Sequence, residues 1–451
     1  MKIVVIGSGK LGYSIACKLA EDGHDVAVVD NNESALGTSL KNNDLSGMLG
    51  NGIDRFLLEE IGVPEAQVVI SVTKSDEVNI ISSVLANKLG AKHTIARIRE
   101  PEFLLGMDLI RPEMGKGLNV NPELEAAEEI SRIFRFPSAL KVDFFARGRV
   151  EMLEFAVGET SPLVGLRLAE LPSRFKGKVL VCAVNRAEQV FIPGGNFEIA
   201  AGDKLTVTGT PKDINIFFRK TGFTGKKVKN VMIVGGGRIG YYLARILQDL
   251  GMDVKILEKD RARCEKLADL LPKVTVVHSD GTEQEALLDE NIDEVDGFAA
   301  LTGLDEENVI VSMFAGSLGV SKVVTKINHI TFGGILEKAG IECVITPHAI
   351  TTQNICRYIR ALQSSEDSSF ETLISLVGGR AEGIEFHVGK SFAGNNIPLK
   401  ELKLKKDILI AIIIRNGKTI HPTGNDAILP GDSIVIVTTR NGINEIGDIL
   451  A

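Results

Sequence analysis

No stretch of this chain is apolar for long enough to cross a membrane. The longest unbroken apolar run, Ile408 to Ile414, is seven residues, where a spanning helix needs about 20. A pore or a membrane anchor is therefore not expected. The first residues, KIVVIG, read as a strand with no separate apolar segment and small-residue cleavage site, which argues against a signal peptide. Cysteine is scarce and scattered: Cys17, Cys182, Cys264, Cys343 and Cys356 include no CxxC pair. That argues against a zinc site or a disulfide framework and for reduced thiols in the cytosol. The seven histidines lack metal-ligand spacing; His24, His93, His278 and His387 read as residues at strand or turn edges. Basic charge is also short, with 51 Lys and Arg against 59 Asp and Glu and a net charge of -8. This argues against nucleic acid as the main partner. Composition predicts a soluble cytoplasmic protein and little more.

What the chain does have is repetition. At 451 residues it is too long for one core. VIGSGKLGYSIA at 5–16 returns as IVGGGRIGYYLA at 233–244. Asp30 recurs as Glu258, and SVTKSDEVNI at 71–80 as ALTGLDEENV at 300–309. Arg97 falls opposite Lys326. Further on, IPGGN at 192–196 faces HPTGN at 421–425, and AGDKLTV at 201–207 faces PGDSIVI at 430–436. These pairs span nearly the whole half, which implies a tandem duplication of roughly 225 residues.

Each half has two textures. The first ~115 residues alternate β-rich runs with helical segments, as in KIVVIG, DVAVVD, VVISV and HTIARI, which predicts a parallel sheet with helices on both faces. A helix follows at about 122–136, with Asn121 as N-cap, Pro122 in the first helical position, and Leu124, Ala127, Ile130 and Phe134 along one face. The remainder reads as a compact α+β module of about 80 residues. The fold class is thus α/β: two tandem Rossmann-like doubly wound domains, each followed by a small α+β module. Boundaries are expected at 1–120, 121–140 (helix) and 141–220, then 229–347, 348–367 (helix and linker) and 368–451. The basic stretch at 219–229 would join the halves, and SSEDSS at 364–369 would precede the last module.

The glycines carry the chemistry. Gly7, Gly9 and Gly12, and again Gly235, Gly237 and Gly240, follow a strand and open a helix. In that setting the first glycine allows the tight turn, the second gives a phosphate access to backbone N–H groups, and the third lets helix and strand pack. Asp30 and Glu258 each end the next strand, where a carboxylate accepts from a ribose hydroxyl and repels a 2′-phosphate. NAD or an adenosine nucleotide is therefore favoured over NADP. Thr73 and Thr302 close a strand; each either reaches the ribose or phosphate or simply forms a turn with Ser75 as N-cap. Asp76 and Asn79 belong to that turn. Arg97 sits either at the phosphate edge or in a surface ion pair. An NAD-dependent oxidoreductase is the alternative reading. Hydride transfer needs an acid or base beside the nicotinamide, and no His-Asp, Ser-Lys or Tyr-x-x-x-Lys arrangement is present. No catalytic residue is assigned.

VIGSGKLGYSIA with Asp30, SVTKSDEVN, ARIREPEF at 96–103 and the module SPLVGLRLAEL…IPGGN…AGDKLTVTG resemble the RCK (regulator of potassium conductance, or KTN) domain and its C-terminal partner. The doubled unit is similar to the tandem members of that family that serve Trk-type potassium uptake, and the resemblance covers essentially the full chain. It implies a cytoplasmic gating-ring subunit, peripheral on the inner face of the membrane. Such a subunit binds NAD(H) and ATP or ADP and regulates a separate membrane potassium transporter subunit. Four chains, a homotetramer, would close an eight-unit ring. Regulation of a different transporter, or a further effector such as a cyclic dinucleotide or a cation in the small modules, stays open.

Carried over, the resemblance places the first phosphate loop at Gly7, Ser8, Gly9, Lys10 and Leu11, ahead of Gly12. Asp30 would hold the ribose, with Thr73, Lys74 and Arg97 lining the site. The second loop would be Gly235, Gly236, Gly237, Arg238 and Ile239, ahead of Gly240, with Glu258, Thr302, Gly303 and Lys326. Near the adenine, Asp280 keeps the family's acid, whereas the first copy has Asn51. That difference, and Lys326 in place of Arg97, imply inequivalent sites. The helix at 122–136 and its counterpart after Pro347 would be either an intersubunit crossover that transmits the nucleotide state or helices packed plainly within their own domain.

Overall fold

The computed structural model describes residues 1–41, 45–136, 139–146, 149–175, 178–187, 189–223, 227–328, 336, 339–341, 343–363, 370–440, 442–443 and 445–451. The stretch at 364–369 lies outside the described residues, as do 224–226 of the basic connector.

In the first nucleotide-type lobe β1 (Lys2–Ile6), β2 (Asp25–Asp30), β3 (Ser46–Leu49), β4 (Val68–Ser71), β5 (His93–Arg97) and β6 (Gly117–Val120) form one parallel sheet in the order β3-β2-β1-β4-β5-β6. Helices α1 (Lys10–Glu21), α2 (Glu33–Leu40), α3 (Arg55–Glu60), α4 (Asp76–Leu89) and α5 (Pro101–Met114) connect the strands. The central strands are buried on both faces, and their sequence accordingly runs Val and Ile without alternation, as in KIVVI and VVIS. The strand order reverses between β1 and β4. That is the switch point where ligands of such sheets bind, beyond the carboxyl ends of the strands.

α6 (Pro122–Arg135) then leaves the lobe, with the Asn121 side chain accepting from Leu124 N at 3.0 Å. The first small module follows: β7 (Lys141–Phe145), β8 (Val150–Ala156), β9 (Leu180–Arg186), β10 (Gln189–Phe191) and β11 (Lys204–Gly209) make an antiparallel sheet, with α7 (Leu171–Arg174) and α8 (Pro211–Thr221).

The second half repeats this. Its parallel sheet contains β12 (Asn230–Val234), β13 (Asp253–Glu258), β14 (Thr275–His278), β15 (Gly297–Ala300), β16 (Lys322–Lys326) and β17 (Cys343–Ile345), in the order β14-β13-β12-β15-β16-β17. Its helices are α9 (Arg238–Asp249), α10 (Arg261–Leu270), α11 (Gln284–Asp289) and α12 (Asp305–Ser317), followed by α13 (Pro347–Gln363). β18 (Phe370–Leu376), β19 (Ala381–His387), β20 (Ile408–Arg415), β21 (Lys418–Ile420) and β22 (Ser433–Thr438) complete the second small module. No helix among the described residues is long and apolar enough to cross a membrane.

The halves are interlocked. The apolar face of α6 does not close on its own lobe: Ala127, Ile130, Ile133 and Phe134 share a core with Tyr242, Leu243 and Leu247 of α9 in the other half. Reciprocally, Ile355, Cys356 and Ile359 of α13 pack with Leu11, Ile15 and Leu19 of α1. Burying Ile130, Ile133 and Phe134 contributes on the order of 5–9 kcal/mol. The alternatives were a crossover between subunits and packing within one domain; both helices cross between the two halves of a single chain. The duplication supplies the partner surface. The small modules also meet: Phe145, Met152 and Ala183 share a core with Ile374, Ala411 and Val435. Gly383 lies so close to Phe145 that an added Cβ would stand 2.7 Å from the ring Cζ.

Two facing glycine-loop sites

Each loop is built where a central strand turns into a helix. Gly7 has φ +100° and an added Cβ there would stand 2.8 Å from Thr73 N. Gly12 allows α1 to rest on the loop, since a Cβ would lie 1.7 Å from the Gly7 carbonyl oxygen. Gly9 differs from both. It is the exposed N-cap of α1 in extended conformation, and a Cβ there meets no atom within 4 Å. Gly235, Gly240 and Gly237 repeat these roles: φ +105° at Gly235, a Cβ at Gly240 2.3 Å from the Gly235 oxygen, and open space at Gly237. Lys10 and Leu11, like Arg238 and Ile239, form the first turn of the helix that each loop opens.

Each acid is fixed by the loop it faces. Asp30 accepts from Ser8 N at 2.5 Å and Asn32 N at 2.8 Å, and Glu258 from Gly236 N at 2.7 Å and Asp260 N at 2.8 Å. Each carboxylate oxygen takes one backbone N–H and keeps a lone pair for a further donor. Ser8 Oγ is buried with no hydrogen-bond partner among the described residues. In the second loop Gly236 stands at that position, where an added Cβ would lie 2.5 Å from Leu267 Cδ1 and 3.0 Å from Glu258 Oε2. There Arg263 Nε also donates to the Gly236 carbonyl at 2.6 Å, a contact that glycine spacing gives no hint of.

The threonines form the turn and also line the cradle. Thr73 N donates to Asn79 Oδ1 at 2.8 Å, and Asn79 Nδ2 donates to the Arg97 carbonyl at 2.9 Å, tying the ends of β4 and β5 together. Thr302, Asn308 and Lys326 repeat this at 2.8 and 3.0 Å. Arg97 is in no surface ion pair: it is buried, and its guanidinium donates to the Thr73 carbonyl. Burial, then the neighbouring Arg99, lowers its pKa to about 10. Lys326 Nζ donates to the Thr302 carbonyl at 2.6 Å, and burial lowers its pKa as well. Lys74 and Gly303 are exposed at the rim. Asn51 Oδ1 accepts from Ile53 N at 3.2 Å; Asp280 Oδ1 accepts from Thr282 N at 3.0 Å and Thr282 Oγ1 at 2.7 Å. Both side chains therefore shape the turn after the third strand of their sheet, and only Asp280 brings charge to it. Asp76 is occupied by Arg99 N, Arg99 Nε and Glu100 N.

The sites face each other. Arg238, placed in the second loop by its sequence, turns toward the first half and pairs with Glu100, Nε to Oε1 3.0 Å. Tyr242 Oη donates to the Arg99 carbonyl at 2.8 Å and accepts from Asn121 Nδ2 at 3.2 Å. Across the same cleft Lys10 is an electrostatic neighbour of Lys326. Glu123, in the first turn of α6, acts electrostatically on Arg97, Arg238 and Lys326 together, and its Oε2 is buried without a hydrogen-bond partner among the described residues. These residues fit an adenine nucleotide in kind: open backbone at a helix N-terminus for phosphate, an acid at the ribose, and basic groups around both. No group of metal-ligating side chains occurs among the described residues.

Residues 3–111 and 231–347 match the TrkA-N domain family, and residues 152–222 and 386–451 the TrkA-C domain family. The chain is 31 % identical to "Trk system potassium uptake protein TrkA homolog 1" of Methanosarcina mazei, over 99 % of each chain. It is 28 % identical to "Trk system potassium uptake protein TrkA" of Haemophilus influenzae, over 99 % of this chain and 98 % of that one. Among solved structures it superposes on the GsuK RCK domain with TM-score 0.64 at 18 % identity, covering 97 % of this chain and 92 % of that one. The GsuK channel bound to NAD gives the same TM-score at 16 % identity, covering 97 % of this chain and 76 % of the other. These two likenesses establish the fold: paired RCK-type units. By sequence over its full length and by its alternating TrkA-N and TrkA-C domains, the chain belongs to the TrkA family.

Proposed function

We propose that this protein is the cytoplasmic, nucleotide-sensing regulatory subunit of a Trk-type potassium uptake system and controls a separate membrane subunit without catalysing a reaction. The observation that carries the reading is the pair of glycine loops set face to face, each with its acid, inside one interlocked chain. NAD(H) and ATP or ADP are the ligands proposed. Backbone N–H groups at Gly9 and Gly237 would receive phosphate, and Asp30 and Glu258 the ribose hydroxyls. The threonine turns hold Arg97 and Lys326 beside the cradle. The NAD and ADP named with GsuK structures support this choice of ligand class. With Asn51 neutral and Asp280 charged, the two sites would rank the nucleotides differently. Domain boundaries near 120, 140, 220 and 347 follow from the same division of labour.

The mechanism is differential binding. A ligand shifts a conformational equilibrium only by its difference in affinity between states. Moving a ring from about 1:99 to 99:1 takes roughly 5.5 kcal/mol. Four sites with tenfold preference each, about 1.4 kcal/mol per site, would suffice together. Because the crossover helices seat each half on the other's loop helix, a change at either loop displaces both halves. Assembly of chains side by side, four of which would close the ring, is supported by apolar residues left exposed at equivalent places on α4 and α12, Ile81 and Ile310. Peripheral association with the inner membrane face would follow from docking on the pore subunit.

Isothermal titration of the purified chain with NADH, NAD, ATP and ADP, with a light-scattering mass on the same sample, tests the reading. Two classes of adenine-nucleotide site per chain and a tetrameric mass are expected. A monomer that binds none of the four would overturn it.

A further inference from the structure

The two glycine-loop helices end differently, and the difference falls where a crossover helix passes. α1 begins at the Gly9 cradle and ends at Glu21, with Asp22 as its C-cap; its 12 residues make a rod about 18 Å long. At the far end, Arg360 of α13 donates through Nη2 to Asp22 Oδ2 at 3.1 Å and through Nη1 to Glu382 Oε1 at 3.1 Å. The three side chains are only 10 %, 17 % and 15 % exposed. One guanidinium therefore joins the loop helix of the first half, the crossover helix of the second half, and β19 of the second small module.

The duplication provides an internal comparison. Ser131-Arg132-Ile133-Phe134-Arg135 on α6 corresponds to Cys356-Arg357-Tyr358-Ile359-Arg360 on α13, and Glu151 on β8 corresponds to Glu382. Arg135 acts electrostatically on Glu151, and its guanidinium lies 5.8 Å from the Phe136 ring centroid. The place of Asp22 is taken by Leu250, the C-cap of α9, which cannot supply a carboxylate and is 44 % exposed. Among the described residues, no ion pair joins the second loop helix to α6 and β8 as Arg360 joins the first to α13 and β19.

We propose that Arg360 is a positioning residue that carries the state of the first glycine loop to the second small module, so that the first nucleotide site is the one mechanically coupled to the C-terminal sheets. Breaking a largely buried carboxylate–guanidinium pair is unfavourable because it strands a charge, so α1, α13 and β19 move as one body. At the C-cap of α9, where Leu250 stands in place of Asp22, no carboxylate supplies that constraint toward β8. The inference rests on nucleotide binding at the loops as read above.

Hydrogen exchange of the full chain, with and without saturating ADP or NADH, tests it at peptides covering 381–387 and 150–156, with isothermal titration on the same samples. In the natural chain, nucleotide should change exchange at 381–387 clearly more than at 150–156. Asp22→Leu copies the second half and leaves Arg360 paired with Glu382, so no buried acid is orphaned. It should reduce the 381–387 response to the level of 150–156 while nucleotide affinity stays within about twofold, as for sites without shared contacts. Leu250→Asp should raise the response at 150–156. Intact binding with an undiminished 381–387 response in Asp22→Leu would overturn the proposal, as would equal responses of both strands in the natural chain. Absence of any binding heat in the natural chain would instead remove the reading beneath it.

Discussion

A glycine-to-aspartate change at Gly9 separates ligand binding from folding, because this glycine is not needed for shape. Its backbone is extended (φ −63°, ψ −176°) and an added Cβ finds no atom within 4 Å, so any side chain fits. Gly9 is also the N-cap of α1, and its own side chain offers no cap. Aspartate there is a preferred cap, worth a few tenths of a kcal/mol over glycine, with about 0.3–1 kcal/mol more from the helix dipole. Gly9→Asp should therefore hold or raise the melting temperature. Binding should collapse. A carboxylate about 4 Å from a phosphate, at an effective dielectric constant near 20, costs about 4 kcal/mol, close to a thousandfold in affinity. Gly9→Asn, an equal cap without charge, should lose far less. Calorimetric titration with ATP, ADP, NAD and NADH, beside differential scanning calorimetry, reads both quantities. Gly237→Asp is the matching experiment at the second loop. Unchanged affinity in the chain carrying both aspartates would refute phosphate binding at these loops, and a large drop in melting temperature would refute the geometric argument.

Gly12→Ala should behave in the opposite way: its Cβ would lie 1.7 Å from the Gly7 oxygen, so thermal unfolding should show a loss of at least about 1–3 kcal/mol. Tyr242→Phe removes the hydroxyl held by the Arg99 carbonyl and Asn121 and should lower stability to urea by about 1–2 kcal/mol, with no change of helix content by circular dichroism. Glu129 is buried, and burial, then the nearby Asp143, pushes its pKa up from 4.5 despite Lys141 and its ion pair with Arg132. Its contribution to stability is complete below pH 4.5 and is lost as pH rises through the raised value toward neutrality. Glu129→Gln should then match the natural chain near pH 4.5 and exceed it by about 1–3 kcal/mol at pH 8, measured as melting temperature against pH.

Repetition made most of the fold legible. Two copies of a glycine triplet, an acid and a threonine turn specify two parallel sheets, because each residue type answers a local requirement of backbone angle or charge. Gly7 and Gly235 do have positive φ, and Asn121 does cap its helix. What sequence did not reveal is long-range. Leu124, Ala127, Ile130 and Phe134 lie along one face of α6 as read, Leu124 only partly buried, but periodicity says only that a face is covered, not that α9 of the other half covers it. Arg238 is the sharper case. Its place in the second loop suggested phosphate, yet its guanidinium reaches Glu100, 138 residues away in sequence. Arg263 against Gly236 escaped notice for a related reason: arginine on a helix has many partners within reach, and spacing alone does not choose among them. Of the two open readings of Arg97 the surface ion pair fails: the residue is buried and donates to the Thr73 carbonyl, because its strand lies inside the sheet with β6 beyond it.

The duplication also explains how a near-symmetric chain can act asymmetrically. A homodimer of one half would place identical residues at both ends of the crossover, so any change at one loop would be matched at the other. Fusing the halves lets each copy drift. Ser8 has become Gly236, and Asn51 faces Asp280. Asp22 faces Leu250, and Arg97 faces Lys326. In the shared cores at α6–α9 and α1–α13 the copies differ too, but Phe134 corresponds to Ile359, large and apolar in both, since losing such a side chain there costs about 2–5 kcal/mol. At the loops and at the ends of their helices the exchanges alter charge and hydrogen bonding instead, while the common core joins the halves. Two inequivalent nucleotide sites on one frame, as proposed above, would weigh two nucleotides against each other, which a symmetric pair of identical sites cannot do.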